Sequence, residues 1–139
     1  MKPRILVIDD AATVRMYHRK LFADAGWSTE EAINGLEALE RIRDKCDEAP
    51  FDLYVVDINM PKMDGYTFVR ELRKDTQLQQ VPVLMVSTEA QGADRQKALD
   101  AGANCYLIKP AKPQALVLAA ALLLGDAAAA RLAAQGGEQ

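Results

Sequence analysis

The chain of 139 residues is 50% apolar and sets 17 lysines and arginines against 20 aspartates and glutamates, for a formal charge of −3. That length accommodates one ordinary domain and leaves no room for a second, and the slight acidity argues against binding a nucleic-acid backbone. Cys46 and Cys105 stand far apart with no CxxC pair, so neither a disulfide framework nor a zinc site is expected, and a reducing cytoplasm suits the chain.

The first strand is predicted at Arg4–Ile8, an apolar run that Asp9 cuts short before it reaches the length of a secretory signal. Residues 11 to 25 have a helical period with Val14, Tyr17, Leu21 and Ala25 on one face, and Gly26 supplies the stop. Trp27–Ala32 is the second strand, and its polar Ser-Thr-Glu-Glu centre places it at a sheet edge. A helix over 35–46 (Leu36, Leu39, Ile42) leads to the third strand, Leu53–Val56. Asp64–Gly65 forms the turn into a helix over 65–74 with Phe68, Val69 and Leu72 inward. The fourth strand is Val81–Val86; a helix over 91–101 stops at Gly102; the fifth strand is Cys105–Ile108, with Cys105 as core filler; a helix over 113–124 follows. Four of the strands are nearly continuous apolar runs, as in a parallel sheet covered on both faces. Five βα units in strict alternation make an α/β fold with an open, doubly wound, five-stranded parallel sheet.

Ligands of such sheets bind at the carboxyl ends of the strands, near the topological switch point. The residues there are Asp9 and Asp10 after the first strand, Asp57 after the third, Ser87 after the fourth, and Lys109–Pro110 after the fifth. Singly, Asp10 could cap a helix, Asp57 could begin a turn, and Lys109 could be solvated. Together, crowded carboxylates repel and call for a cation. Mg²⁺ suits oxygen ligands and commonly binds through one or two carboxylates plus a phosphate. Such a site invites phosphoryl transfer, with Asp57 as nucleophile, Lys109 as a second cation and Ser87 as a hydrogen-bond donor.

Ile8-Asp9-Asp10, Asp57-Ile-Asn-Met-Pro-Lys-Met-Asp-Gly65, Pro82-Val-Leu-Met-Val-Ser87, Ala101-Gly-Ala103 and Lys109-Pro110, in this order and spacing, resemble the response-regulator receiver family of two-component signalling, most closely its stand-alone, CheY-like members. The likeness extends from about residue 4 to 124. It implies a flavodoxin-like (βα)5 fold with strand order 2-1-3-4-5, and Asp57 as a phosphoacceptor forming phosphoaspartate. It further implies Mg²⁺ held by Asp10, Asp57 and the backbone carbonyl of Asn59, with Asp9 acting mainly through water, and a cis Lys109–Pro110 bond. Ser87 and Tyr106 would be the switch residues, rearranging the surface of the fourth helix, fifth strand and fifth helix. Asn59 and Glu89 would tune the lifetime of the acyl phosphate, and Thr88, where Ala or Gly is usual, would narrow access. The partners implied are a histidine kinase or histidine phosphotransfer protein and a downstream protein target, in the cytoplasm and without membrane insertion. The activity is that of a signalling module, as a regulator or as a phosphorelay intermediate or phosphate sink, not of a classical enzyme.

Two other readings fit less well. A haloacid-dehalogenase-like phosphatase wants an acid where Asn59 stands, and a flavodoxin-like electron carrier would find Asp9 and Asp10 repelling its phosphate. His18, the single histidine, is expected to be a surface or boundary residue, because no helical bundle is present to make it a phosphodonor. The fifth helix carries no charge from Pro113 to Gly125. Leu116, Ala120 and Leu123 share one face; Val117, Leu118, Ala121 and Leu122 share the opposite one. The second face is expected to meet a partner at Val117, Leu118 and Leu122, or another copy of the chain as a homodimer. The other option is that helix-prone Ala127–Ala134 folds back over it. Residues 1–125 are expected to be the receiver domain, and 126–139 an Ala-rich extension ending in a frayed tail.

Overall fold

The structure, a computed structural model, describes residues 2–44, 51–89 and 91–136. Its elements run β1 (Arg4–Ile8), α1 (Ala12–Asp24), β2 (Ser28–Ala32), α2 (Gly35–Asp44), β3 (Leu53–Val56), α3 (Gly65–Lys74), β4 (Val83–Ser87), α4 (Gly92–Ala101), β5 (Cys105–Ile108), α5 (Pro113–Leu124) and α6 (Ala127–Gly136). The strands pair in parallel in the order β2-β1-β3-β4-β5, the doubly wound order expected. β3 and β4 are buried throughout, and their nearly unbroken apolar runs follow from that, although the buried Tyr54 hydroxyl finds no hydrogen-bond partner among the described residues.

Alternation along each strand divides the core into two. Leu6, Ile8, Tyr54, Val56 and Met85 face α2, α3 and α4, where Leu39, Phe68 and Leu72 meet them. Ile5, Val7, Leu53, Val55 and Leu84 face Phe22 of α1 and Leu116 and Ala120 of α5. Each fully buried Leu or Phe of these layers contributes roughly 1.5–3 kcal/mol. β2 is the polar edge strand, and its two glutamates are matched by arginines. Arg4 meets Glu30 at 2.6 Å, while Arg15, at 2.9 Å, and Arg19 both meet Glu31.

Three burial expectations need correction. In α1 the core-facing residues are Arg15, His18 and Phe22; Val14 and Leu21 are half-buried and Tyr17 is exposed. The helix is rotated by one position because the floor beneath it includes the polar β1–α1 turn, which a buried arginine satisfies. His18 is therefore not a surface residue: its ring is packed toward Phe22 at 6.4 Å and is 5% exposed. Leu36 of α2 is exposed, whereas Leu39 and Ile42 are buried. Cys105 is half-buried, and Cys46 lies outside the described residues.

The face of α5 expected to meet another molecule is largely taken within the chain. Gly125, at φ 74°, lets the chain turn back, and Asp126 caps α6 by accepting from the Ala129 amide at 3.0 Å. The other Asp126 oxygen accepts from the Trp27 indole N–H at 2.9 Å, and Ala130 is buried. With α6 in place, Val117 and Leu118 are half-buried, Ala121 is fully buried, and Leu122 stays 65% exposed. The reason is proximity: a two-residue turn presents the alanine-rich segment to this face at a local concentration that a separate molecule cannot match. The Trp27–Asp126 bond is the polar anchor of α6. Trp27→Phe, which loses the donor and part of the packing on Phe22, is expected to weaken that docking by at least about 1 kcal/mol. Amide exchange over 127–136 should rise at least about fivefold, and more than that of the sheet amides, and equal exchange in both proteins would count against the anchor.

Candidate functional site

Register brings the site together. Ile8 pairs with Val56, so Asp9 and Asp57, one residue further on, leave adjacent strands side by side. Ser87 pairs with Ile108, and Lys109 follows it with its amide bonded to the Ser87 carbonyl at 2.7 Å. The Lys109–Pro110 peptide is cis, as the family resemblance implied. Oxygens of Asp9, Asp10 and Asp57 all lie within 4.8 Å of one another. Lys109 Nζ reaches Asp9 Oδ2 at 2.6 Å and Asp57 Oδ1 at 3.4 Å.

The three carboxylates are not equivalent. Asp9 is buried and both its oxygens are used, Oδ1 by the Ala11 amide at 2.9 Å and Oδ2 by Lys109. Asp10 is exposed, and among the described residues its carboxylate makes no hydrogen bond. Asp57 is 9% exposed, and burial, followed by the charge of Asp9, pushes its carboxyl up to about 6, against the pull of Lys109. A metal-free cluster of this kind holds surplus negative charge that one lysine only partly offsets. The donor set, hard carboxylate oxygens with one of them solvent-facing, fits Mg²⁺ and suits neither zinc nor copper.

The loop after β3 is shaped around Asp57. Gly65 begins α3 so close to it that an added Cβ would stand 2.3 Å from the Asp57 carbonyl oxygen. Only glycine permits that approach. Asp64 caps the helix through the Thr67 amide at 2.8 Å, and Lys62 takes a left-handed φ of 69° to make the reversal.

Around the acids, Ser87 is fully buried at the end of β4 and its Oγ accepts from the Glu89 amide at 3.2 Å. Asn59 donates through Nδ2 to Glu89 Oε1 at 2.9 Å, so these two side chains form a clasp between the segments that follow β3 and β4. Tyr106 is buried, its hydroxyl bonded to the Glu89 carbonyl at 2.6 Å and its ring under Arg95. It is thus packed inward here and is not part of an exposed partner surface. Thr88 is exposed and, with Val14, Tyr17, His18 and Lys109–Pro110, borders a cavity of about 470 Å³ beside Lys109. Burial, then the charge of Lys109, lowers the His18 imidazole to about 4, so it is neutral near pH 7. Sequence reading missed Arg15, whose guanidinium donates to the Asp9 carbonyl at 2.7 Å. Its only signal was a charged residue on a helix face that proved to be inward.

Comparison with known proteins agrees with this geometry. Residues 5–121 match the family model of the response regulator receiver domain. The chain is similar to chemotaxis protein CheY-3 of Vibrio cholerae, 38% identical over 108 residues that make up 77% of this chain and 80% of that one. It spans only 13% of the Helicobacter pylori sensor histidine kinase CheAY, at 41% identity over 106 residues, 76% of this chain. Among solved structures, Vibrio cholerae CheY4 superposes with a TM-score of 0.81 at 32% identity, covering 88% of this chain and 99% of that one. The receiver domain of sensor histidine kinase PA1611 from Pseudomonas aeruginosa PAO1, with magnesium coordinated in its active-site cleft, gives a TM-score of 0.79 at 25% identity, covering 91% and 100%.

Proposed function

The chain belongs to the response-regulator receiver family of signalling domains, whose general role is phosphoacceptance, and from that premise we propose that Asp57 is its phosphoacceptor, working with Mg²⁺. The observation that carries this is the convergence of Asp9, Asp10 and Asp57 within 4.8 Å with Lys109 Nζ among them. Asp10 and Asp57 would hold the ion directly, with the Asn59 carbonyl as third ligand. Asp9 acts through water, because its own oxygens are already bonded to Ala11 and Lys109. Bound there, Mg²⁺ supplies positive charge to the phosphoryl oxygens during transfer. The magnesium in the PA1611 receiver supports the same assignment.

The chain's own groups do the rest. A free Asp57 oxygen attacks phosphorus while the donor's leaving group departs with its bonding electrons. Lys109, at 3.4 Å from Asp57 Oδ1, is close enough to transfer its contact to the new phosphoryl group. Ser87 rotates from the Glu89 amide to donate to a phosphoryl oxygen, and this drags the β4–α4 loop on which Tyr106 rests. The donor's side chain, from a histidine kinase or phosphotransfer protein, approaches over Thr88. The Asn59–Glu89 clasp leaves polar atoms that orient water, which suits hydrolysis of the acyl phosphate. No acid stands two positions after Asp57, where a dehalogenase-like phosphatase needs one.

A downstream target would meet α4, β5 and α5, where Leu99, Ile108 and Leu122 are exposed at 43%, 41% and 65%. Of the surface first expected, Leu122 alone remains open. No described helix is long and apolar enough to cross a membrane. The test is incubation with a small acyl phosphate, with Mg²⁺ or with a chelator, followed by mass mapping. One phosphoryl group is expected on the peptide containing Asp57, only with Mg²⁺. Labelling that persists in Asp57→Asn, or that ignores the chelator, would overturn the assignment.

A further inference from the structure

Resting on the reading of the acidic cluster as a Mg²⁺ site, we propose that Arg15 is a positioning residue: anchored on Glu31, it clamps the Asp9 carbonyl and thereby fixes the peptide that carries Asp10. An arginine is seldom buried, and this one is 9% exposed. Its burial is tolerable because Nε donates to Glu31 Oε1 at 2.9 Å while Nη1 donates to the Asp9 carbonyl at 2.7 Å. Glu31 also accepts from Arg19 Nη1, and the hydrogen bond from Arg15 is the chief reason its carboxyl is held below the usual range. Glu31 offsets part of the Arg15 charge from β2, since it is shared with Arg19. The bond to the Asp9 carbonyl adds direction.

The turn is held at three further points. The Asp9 amide donates to the Ala32 carbonyl at 3.1 Å, the Ala11 amide to Asp9 Oδ1 at 2.9 Å, and the Arg15 amide to the Ala11 carbonyl at 3.1 Å. Within this frame the Asp10 side chain has no hydrogen bond of its own among the described residues, so its aim depends on its backbone. The carbonyl of Asp9 and the amide of Asp10 belong to one rigid peptide plane. Arg15 grips that plane by its oxygen, with a charge-assisted bond shielded from water. A bridge therefore runs from the edge strand β2 through Arg15 to a metal ligand, in the way that outer groups orient ligands at other metal sites.

Arg4–Glu30, at 2.6 Å between β1 and the same edge strand β2, is an ion pair without that link and serves as control. Mg²⁺ titrations followed by amide NMR on the full chain are expected to show the Kd raised about tenfold in Arg15→Met, the scale of lost outer-group support. Arg4→Met should leave the Kd within about twofold of the original while costing stability to urea, as the loss of an ion pair does. An unchanged Kd in folded Arg15→Met, or an equal weakening in Arg4→Met, overturns the inference. Should Arg15→Met fail to fold, Glu31→Gln decides, since it keeps Arg15 and loosens its anchor: a clear weakening upholds the clamp and an unchanged Kd rejects it. An original chain that binds no Mg²⁺ would instead overturn the reading of the cluster itself.

Discussion

Replacing Asp57 by Asn is expected to make the metal-free protein more stable at pH 7.5, by between about 1 and 3 kcal/mol, although it removes the proposed phosphoacceptor. Burial and Asp9 push the folded-state carboxyl from an ordinary 3.8 to about 6. The folded chain therefore binds that proton more tightly than the unfolded chain. Below pH 3.8 the group is protonated in both states and exerts no penalty; the penalty grows as pH rises to 6 and is complete above it. A shift of this size corresponds to about 3 kcal/mol at most, and Asn forfeits part of the gain because Lys109 keeps only Asp9 as partner. Urea unfolding in the presence of a chelator should show the advantage of the variant at pH 7.5 shrinking toward nothing near pH 4. A gap that widens in acid, or none at neutral pH, would contradict the burial of a charged Asp57. Because proton and Mg²⁺ compete for one carboxylate, the Mg²⁺ affinity of the original chain should also weaken as pH falls below 6.

Arg73→Ala is expected to cost about 3–5 kcal/mol of folding stability, the largest loss foreseen for a single surface-facing charge. The guanidinium makes five hydrogen bonds: Nε and Nη2 to the Gly102 carbonyl at 3.0 and 2.9 Å, Nη1 to the carbonyls of Gln79 and Val81 at 3.1 and 2.6 Å, and Nη2 to Asn104 Oδ1 at 2.9 Å. That Asn104 oxygen also accepts from the Val83 amide at 2.9 Å, at the start of β4. Arg73 thus ties the end of α3, the α3–β4 loop and the α4–β5 turn to one planar group. Gly102, at φ 118°, leaves the room: a Cβ there would sit 2.7 Å from Arg73 Cγ. Burial lowers the pKa of the guanidinium, yet such a group stays charged, and its hydrogen bonds are correspondingly strong. Arg73→Lys should lose most of the same stability, since an ammonium cannot span carbonyls that a planar fork reaches together. Urea unfolding at pH 7.5 measures both, and a loss under about 1 kcal/mol in Arg73→Ala would refute the staple.

Both residues stand at opposite ends of the sheet, and they differ in how far they could be read beforehand. Asp57, with Asp9, Asp10, Ser87 and Lys109, was legible because a parallel strand ends where its apolar run ends, and all such ends lie on one edge. The alternation of strand and helical periods, four of the five strands being apolar runs, carried the acidic rim, while the strand order was implied by the resemblance of the motifs to the receiver family. The polar Ser-Thr-Glu-Glu stretch announced its edge position for the same reason, since an interior strand cannot bury two glutamates. Arg73 looked like any basic residue in the last turn of a helix, where it would favour the helix dipole. Nothing along the chain reveals that carbonyls of residues 79, 81 and 102 converge on it.

Local pattern and chain order were enough for the sheet, the helices on its two faces and the identity of the groups at its rim, because these depend on residue period and on the handedness of crossovers. Contacts between distant segments arranged the remainder. They turned α1 so that Arg15 and His18 went inward, held Tyr106 under the β4–α4 loop, and laid α6 over an apolar face of α5 that had looked available to a partner. Each of these outcomes hangs on where a side chain finds its acceptor or its cover, and such matches form between residues far apart in the chain, such as Trp27 and Asp126, which no periodicity connects.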